Sequence, residues 1–340
     1  MLVDGPLITQ TLPDVAAAAE QLEDEGYDGT YTFEGPHDPF LPLVLAAEAT
    51  DELELMTAVA IAFSRNPMTL ASQAWDLQAL SEGRFHLGLG SQVKAHIERR
   101  FSMPWVAPAA RMRELVLAIR AIWTSWQDRV PLRFEGEHYT HTLMTPFFDP
   151  GPIPHDPPAI WLGGVGPRMT EVAGEVADGF FLHPFCTQRS LIEVTLPALE
   201  RGRTKRLASL DKVQTSLPVM IVTGATTKSF DAALESVRAQ VGFYASTPAY
   251  KVVLDVHGLG DLQPKLQDLT RTGDWGGMAA LVPDDLLDAV AIVAPPDEVA
   301  GAIEERYGTL LDRVALNAPY VVDKDMWGEI VADLQWSGDA

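Results

Sequence analysis

Apolar runs alternate with helix-length amphipathic segments along most of the chain. The apolar runs cover residues 2–8, 29–33, 53–62, 85–89, 159–162, 179–182, 214–222 and 313–316. Short apolar runs that are bounded by turn residues are typical of strands that are buried on both faces. The pattern therefore predicts eight strands.

The segments between the predicted strands carry helix signals. Proline near the start and glycine past the end mark a first helix between Pro13 and Gly26. A later segment repeats large apolar residues at the helical period, at Met112, Leu115, Ile119, Ile122, Trp123 and Trp126. Further helices are predicted at 41–50, 67–80, from 167, from about 188, at 228–243, at 297–307 and after 325.

This order of elements predicts an α/β fold, a single (β/α)₈ TIM-barrel domain over residues 1–340. Two segments interrupt the alternation, at about 128–158 and 245–280. The first contains PGPIPHDPP, and such dense proline resists both a helix and a central strand. We interpret both segments as insertions into the barrel.

Composition sets the expected compartment. The chain has 340 residues, 47% of them hydrophobic, which is enough for a large core. No stretch approaches the roughly 20 apolar residues that span a bilayer, and the N-terminus lacks a signal-peptide pattern. We therefore expect a cytoplasmic protein, in which the single cysteine, Cys186, is a small core residue.

Charge narrows the possible partners. The formal net charge of −22 argues against nucleic acid and anionic membranes, since both require a basic face. Residues 1–83 contain one basic residue, Arg65, whereas 84–120 contain a basic cluster. Its members are Arg84, Lys94, Arg99, Arg100, Arg111, Arg113 and Arg120. Either the cluster binds a local anionic ligand, or it forms surface ion pairs or a subunit contact.

The first glycine-rich turn, Gly88-Leu89-Gly90-Ser91, allows two interpretations. A dinucleotide fingerprint would need a third glycine, where this chain has Val93, and an acidic residue about 20 positions later. No acidic residue follows Glu98 before Glu114. We therefore place Ser91 at the mouth of the barrel, after the fourth strand, where active sites of this fold gather.

The second glycine cluster is Gly163-Gly164-Val165-Gly166, directly before Pro167. It lies between a predicted strand and a predicted helix, so its backbone N–H groups can converge on an anion at the helix N-terminus. Glycine at three of four positions exceeds the needs of a tight turn, although a simple turn is the alternative. The cluster predicts a phosphate site.

Ionisable side chains follow two other predicted strands. Glu34 and His37 follow the second strand, and His183 follows the sixth. Histidines at the mouth of a barrel can transfer protons near neutral pH, and a neighbouring carboxylate can orient them. The only close histidine pair, His138 and His141, lacks the further ligands that zinc requires, so we expect no metal site.

Five segments connect the chain with a known family. They are AWDLQALSEGRFHLGLGSQVKAHIERRF, ARMRELVLAIRAIW, FEGEHY, WLGGVGPRMTEVAGEVADGF and PPDEVAGAIEERYG. In this order they resemble the bacterial luciferase-like flavin and deazaflavin oxidoreductases, and within them the actinobacterial coenzyme F420-dependent branch. The resemblance covers nearly the whole chain and implies a (β/α)₈ barrel with insertions, which agrees with the strand pattern.

The resemblance also implies positions for the cofactor. A cis peptide bond between Ala58 and Val59 would lie behind the ring, as in the family. Ser91 and His96 would contact the cofactor, and the loop of Gly163, Gly164, Val165 and Gly166 would bind its phosphate.

The proton donor is not settled by the resemblance. Many members have a histidine at the position of Gly35, so His37 or His183 would have to replace it. Glu34 would either hydrogen-bond to the deazaflavin edge or orient His37. Replacing His37 with alanine would then slow turnover.

The function implied by the resemblance is hydride transfer between coenzyme F420 and a small organic substrate, in a homodimer. One alternative is an FMN-dependent monooxygenase of the same fold. Another is a barrel that binds a ligand without turnover. In each case the segments 128–158 and 245–280 are expected to cover the pocket that selects the small molecule.

Overall fold

The computed structural model describes residues 1–9, 11–206 and 210–337. Its strands are Leu2–Pro6 (β1), Gly29–Thr32 (β2), Glu54–Thr57 (β3), Phe85–Gly90 (β4), Ala159–Gly163 (β5), Gly179–Phe181 (β6), Gln214–Val222 (β7) and Arg313–Asn317 (β8). They pair in parallel in chain order. Strand β8 then pairs with β1, which closes the sheet. The predicted eight-stranded parallel barrel is confirmed.

Helices surround the barrel in the order that the sequence predicts, with a further short helix, Lys94–Arg99, that it does not predict. They include Val15–Asp24, Phe40–Ala49, Pro67–Leu80, Lys94–Arg99, Pro108–Asp128, Pro167–Val176, Leu196–Arg203, Thr227–Ala245, Pro296–Tyr307 and Lys324–Ser337. Local chemistry sets several starts: Asn66 accepts a hydrogen bond from Thr69 N–H ahead of Pro67, and Thr226 forms a capping box with Ser229.

Two apolar layers hold these elements together. Between the sheet and the helices, Trp75 packs against Trp123 and Trp126 at ring distances of 6.4 and 5.5 Å. Inside the barrel, Trp161 stacks on Phe181 at 4.8 Å. Because the strands are covered on both faces, most of them carry apolar residues on both faces, and the polar exceptions include Asp4, Glu54, His86 and Arg313.

A buried polar network lies inside the barrel, towards the amino ends of several strands. The Arg313 guanidinium binds the Asp4 carboxylate, with Nε at 2.9 Å, and donates to Glu54 at 2.6 Å. His86 also contacts Glu54, at 3.3 Å. Although burial opposes ionisation, His86 and Arg313 together lower the pKa of Glu54 to about 2. The network links β1, β3, β4 and β8.

The segment 245–280, which we interpret as an insertion, contains helices that the sequence does not predict. It is largely helical, with Lys251–Asp255, Leu262–Thr272 and Trp275–Ala280, and a further helix follows at Asp284–Val290. These helices pack against Thr227–Ala245 around a separate apolar cluster. A short strand that the sequence did not predict, Ala291–Val293, pairs with the end of β7. We refer to residues 245–290 as the helical segment.

The segment 128–158 is mostly irregular, in agreement with its proline content. It contains a short hairpin, Phe134–Glu135 with Thr140–His141. Glu114 anchors this hairpin by accepting hydrogen bonds from the backbone N–H groups of residues 137, 138 and 139. Among the residues that the structure describes, no helix is long and apolar enough to cross a membrane.

Candidate active site

The carboxyl ends of the barrel strands open into a cavity of about 760 Å³, which we call the barrel cavity. Its walls include apolar side chains such as Met56, Val59 and Phe181, and its polar groups include His183 and Asn317. A volume of this size suits a cofactor ring or a small organic molecule.

Val59 forms one wall of this cavity. The peptide bond between Ala58 and Val59 is cis, as the resemblance implies, and it interrupts the predicted strand 53–62 between β3 and the short strand Ala60–Ile61. The Val59 side chain packs against Gly90 and Gly163. A Cβ atom would lie 2.5 Å from Val59 Cγ2 at Gly90 and 3.0 Å from Val59 Cγ1 at Gly163. These glycines therefore make room for Val59.

A second cavity of about 930 Å³, the glycine-loop cavity, shares Val59, Gln92 and residues 163–165 with the first. Gly164 and Val165 donate no backbone hydrogen bond to any described residue. The loop leads into the helix Pro167–Val176, whose first N–H groups are also free of helical partners. Free N–H groups at a helix N-terminus favour an anion. The loop has the donors that a phosphate requires.

Residues after β4 also line the glycine-loop cavity. Ser91 lies in its wall and donates a hydrogen bond to Gln92 O at 3.1 Å. The next three residues, 92–94, line it as well, whereas His96 is exposed and lies outside both sets of lining residues. The structure therefore brings Ser91 to the site and leaves His96 outside it. Gln92, which faces both cavities, was missed because nothing in its local spacing marks it.

Glu34 is turned towards Arg65. Its carboxylate binds the Arg65 guanidinium and accepts the Ile61 N–H at 2.7 Å. Arg65 also binds Asp38 at 3.0 Å. In the described part of the chain no hydrogen bond joins Glu34 to His37, and His37 is exposed and lines neither cavity. Arg65, and not His37, takes the Glu34 carboxylate, so the geometry gives no support to the second of the two roles considered for Glu34, that of orienting His37.

His183 reaches the barrel cavity from the end of β6. The Phe185 N–H donates to its Nδ1 at 3.0 Å. Two tyrosine rings enclose it, Tyr250 at 4.2 Å and Tyr244 at 4.6 Å between ring centres. Burial lowers its pKa to about 4, so the imidazole is neutral at pH 7. Of the histidines predicted at strand ends, this one lies at the cavity.

Most of the basic cluster binds protein groups, which favours the structural alternative. Arg84 donates to the carbonyl oxygens of residues 47, 50 and 53, and Arg111 donates to Tyr139 and to Pro104 O. Arg113 and Arg120 form ion pairs with acidic side chains on and after the helix Pro167–Val176. Lys94 is the member that lines the glycine-loop cavity, where Arg168 joins it.

This site supports neither metal binding nor catalysis by a thiol. Among the described residues, no group of three or more histidine, cysteine or acidic side chains could hold a metal ion. Cys186 is buried, and burial raises the pKa of its thiol to about 11. A thiol with so high a pKa is a poor nucleophile at neutral pH.

The fold and the two joined cavities define a TIM-barrel protein with a glycine-rich loop after its fifth strand. The luciferase-like monooxygenase family matches residues 3–313. The chain belongs to this family, which is a family of enzymes.

The chain is also similar to individual proteins and structures along most of its length. An uncharacterized protein of Mycobacterium tuberculosis (strain H37Rv) is 50% identical over 312 residues, which are 92% of each chain. The 5,10-methylenetetrahydromethanopterin reductase of Archaeoglobus fulgidus is 28% identical and covers 89% of this chain and 88% of its own. The structure of the coenzyme F420-dependent tetrahydromethanopterin reductase of Methanopyrus kandleri has a TM-score of 0.77 at 22% identity, and covers 97% and 96% of the two chains.

Proposed function

We propose that the protein is a coenzyme F420-dependent oxidoreductase that transfers hydride between the deazaflavin and a small organic substrate. The observation that carries this proposal is the continuity of the two cavities at Val59 and the glycine loop. One cavity has room for a ring and a substrate, and the other offers free N–H groups for a phosphate. The F420-dependent reductase of Methanopyrus kandleri, which shares the fold, supports the choice of cofactor.

The residues present fit such a cofactor. Gly90 and Gly163 keep the wall beside Val59 free of further side chains, so a flat ring can approach it. The free N–H groups of Gly164 and Val165 suit its phosphate, and Lys94 and Arg168 add positive charge to the same cavity. The contacts predicted for Gly166, Ser91 and Ala58 belong to the same proposal, and we leave His96 out because it is exposed.

The deazaflavin, when bound, supplies or accepts the hydride. The protein's part is then to bind the phosphate at the glycine loop, to support the ring at Val59 and to orient the substrate. Tyr244 and Tyr250 enclose one side of the site and limit the access of water to His183. Of the candidate residues His37, Glu34 and His183, we propose that His183 contacts the substrate and that Glu34 positions the 34–38 turn.

Fluorescence titration of the purified protein with coenzyme F420 and with FMN tests the cofactor. We expect F420 to bind, and the variant with Lys94→Gln and Arg168→Gln to bind it more weakly, with a smaller dependence on salt. The variant with Arg99→Gln and Arg201→Gln, whose side chains lie outside both cavities, is the matched control. Absence of F420 binding would refute the proposal.

The family description favours a second candidate, an FMN-dependent monooxygenase. The same glycine loop would suit the phosphate of FMN, so the cavity shapes do not distinguish the two cofactors. Binding of FMN alone in the titration would support this candidate. Binding of neither cofactor would support a barrel that binds a ligand without turnover.

We also propose that the protein is a homodimer. The helices Phe40–Ala49 and Pro67–Leu80 expose large apolar side chains, which are Leu41, Val44, Leu45 and Leu80. Such a patch is typical of an interface. Light scattering should give a dimer mass for the wild type and a monomer mass for Leu41→Glu with Val44→Glu. Val321→Glu, at a position 99% exposed elsewhere, should leave the mass unchanged.

A further inference from the structure

We infer that the substrate is an uncharged carbonyl compound, or the corresponding alcohol, whose oxygen accepts a hydrogen bond from Nε2 of His183. This inference rests on the proposed function for the hydride chemistry. It adds a substrate class and the group that recognises it.

The hydrogen bond at the other ring nitrogen fixes the tautomer. Because the Phe185 N–H donates to Nδ1 at 3.0 Å, Nδ1 carries a lone pair, and the hydrogen of the neutral imidazole lies on Nε2. Within residues 1–9, 11–206 and 210–337, Nε2 has no hydrogen-bond partner. His183 lines the barrel cavity, so this N–H is available to a ligand oxygen there.

The ring cannot easily swing away from this orientation. Tyr250 packs against its face at 4.2 Å and Tyr244 meets it edge-on at 4.6 Å. Both tyrosines come from the end of the helix Thr227–Ala245 and the turn that follows it. The same burial that fixes the ring keeps it neutral at pH 7, because it lowers the pKa of His183 to about 4. His183 is thus a neutral donor in a fixed position.

The charges of the barrel cavity decide the class of substrate. Its lining, taken over the described residues, contains no lysine and no arginine. The one carboxylate that lines it, Asp4, is bound by Arg313 beneath the cavity. A carboxylate or phosphate group on the substrate would lose water there without gaining a counter-charge, which is costly. An uncharged oxygen needs only a donor, and His183 supplies one.

The remaining lining favours an apolar body for this substrate. Phe33, Leu182 and Tyr244 contribute apolar surface to the cavity that His183 lines. A carbonyl compound with an aromatic or branched apolar substituent would therefore bury that substituent while its oxygen meets Nε2.

The chemistry balances without a charged protein acid. In the direction of reduction, the carbonyl carbon gains a hydride with its electron pair from the reduced deazaflavin, which becomes oxidised and releases a proton. The carbonyl oxygen gains one proton from water. The Nε2–H stays on His183 and stabilises the negative charge that develops on the oxygen.

Three small molecules of similar shape test whether His183 recognises an uncharged carbonyl oxygen. Acetophenone carries the carbonyl, α-methylstyrene replaces its oxygen with a CH₂ group, and benzoate carries a charge. Ligand-observed NMR on the wild type should show tighter binding of acetophenone than of benzoate. His183→Phe should weaken acetophenone binding roughly three- to tenfold, the effect of one lost neutral hydrogen bond, and leave α-methylstyrene unchanged. His183→Gln, which keeps a donor, should restore part of the loss.

A second measurement does not depend on a variant that folds. In protein labelled with ¹⁵N at histidine, His183 should be the Nε2–H tautomer and should stay neutral from pH 7 to below pH 5. A Nδ1–H tautomer, a His183 that titrates near its ordinary value, or tighter binding of benzoate than of acetophenone would each overturn the inference. The F420 titration separates the two failures, because a protein that binds F420 and fails these tests retains the proposed function.

Discussion

Gly88 lies where two strands of the barrel approach too closely for any side chain. A Cβ atom built on it would lie 1.6 Å from the carbonyl oxygen of Thr57. The Thr57 hydroxyl also bridges this contact, since it donates to Gly88 O at 2.7 Å and accepts the Gly88 N–H at 2.9 Å. The first glycine of the GLGS turn thus serves the contact between β3 and β4, next to the Val59 wall.

We expect Gly88→Ala to destabilise the fold by at least about 2 kcal/mol, because backbone must move to admit the methyl group. Gly301→Ala is the matched control, since no atom lies within 4 Å of a Cβ built there, in an exposed helical position. It should be neutral or stabilising by up to about 1 kcal/mol. Denaturant unfolding followed by tryptophan fluorescence measures both. Equal stability of the two variants would contradict the packing argument.

His183 should also make stability depend on pH. The unfolded imidazole takes up a proton near 6.5, whereas the folded one does so only near 4, so acid favours unfolding. The contribution of the neutral His183 to the free energy of unfolding is complete above pH 6.5 and is lost as the pH falls towards 4. It amounts to about 3 kcal/mol, since one pKa unit corresponds to about 1.4 kcal/mol.

Comparison of melting temperatures between pH 7 and pH 4 tests this dependence. The wild type should lose more stability over this range than His183→Gln does. His37→Gln, at an exposed histidine, should behave as the wild type does. Parallel curves for the wild type and His183→Gln would show that the pKa of this imidazole is not lowered in the folded state.

At the scale of elements, Arg65 joins the turn after β2 to the chain after β3. Its guanidinium binds Glu34 and Asp38, and its own backbone N–H donates to Ala62 O at 3.1 Å. Arg65 is the sole basic residue among the first 83, and its isolation in an acidic stretch is the signal by which the sequence could have indicated this role. The two ion pairs of Arg65 hold the 34–38 turn beside Val59. The Val59 carbonyl also accepts a hydrogen bond from the Glu34 N–H.

Arg65→Ala should destabilise the protein by about 2–4 kcal/mol, because the Glu34 carboxylate is largely buried and would lose its counter-charge. It should also weaken cofactor binding, since the wall beside Val59 loses a support. Arg271→Ala, which removes an exposed ion pair with Asp268, should leave the melting temperature unchanged. If both variants melt alike, Arg65 does not hold the turn.

The elements show which parts of the structure are readable from sequence. Strand β7 was predicted with its observed bounds, because its residues 217–222 form an apolar run, which is typical of a strand that is buried on both faces. The helical segment was not predicted, because its helices are short and glycines such as Gly258 and Gly273 interrupt the helical period. Short apolar stretches between glycines do not reveal a helix when tertiary packing completes it.

The residues of the candidate site also differ in how far the sequence predicts them. The glycine loop and Val59 belong to strand ends and to motifs, so the resemblance identified them. Tyr244 lies at the end of the helix Thr227–Ala245 and Tyr250 in the turn that follows it. Both reach His183 through tertiary packing, and neither carries a local signal. His37 and His96 had the right residue type near a strand end, but side-chain direction at a turn is not encoded in spacing.

At the scale of the whole molecule, Arg313 connects the last strand of the barrel with the first. It lies at the start of β8 and binds Asp4 on β1 and Glu54 on β3. Gly29 on β2 leaves room for this pair, since a Cβ there would lie 2.6 Å from Asp4 Oδ1. The network therefore spans the seam at which the sheet closes on itself.

Arg313→Ala should destabilise the barrel by about 3–5 kcal/mol, because it leaves the Asp4 carboxylate buried, 2% exposed, without its partner. The double variant Asp4→Leu with Arg313→Met should recover much of this loss, since apolar residues of similar size remove the unpaired charge along with the pair. Denaturant unfolding followed by circular dichroism gives both values. A double variant as unstable as Arg313→Ala would mean that the ion pair itself, and not the avoidance of a lone buried charge, holds the seam closed.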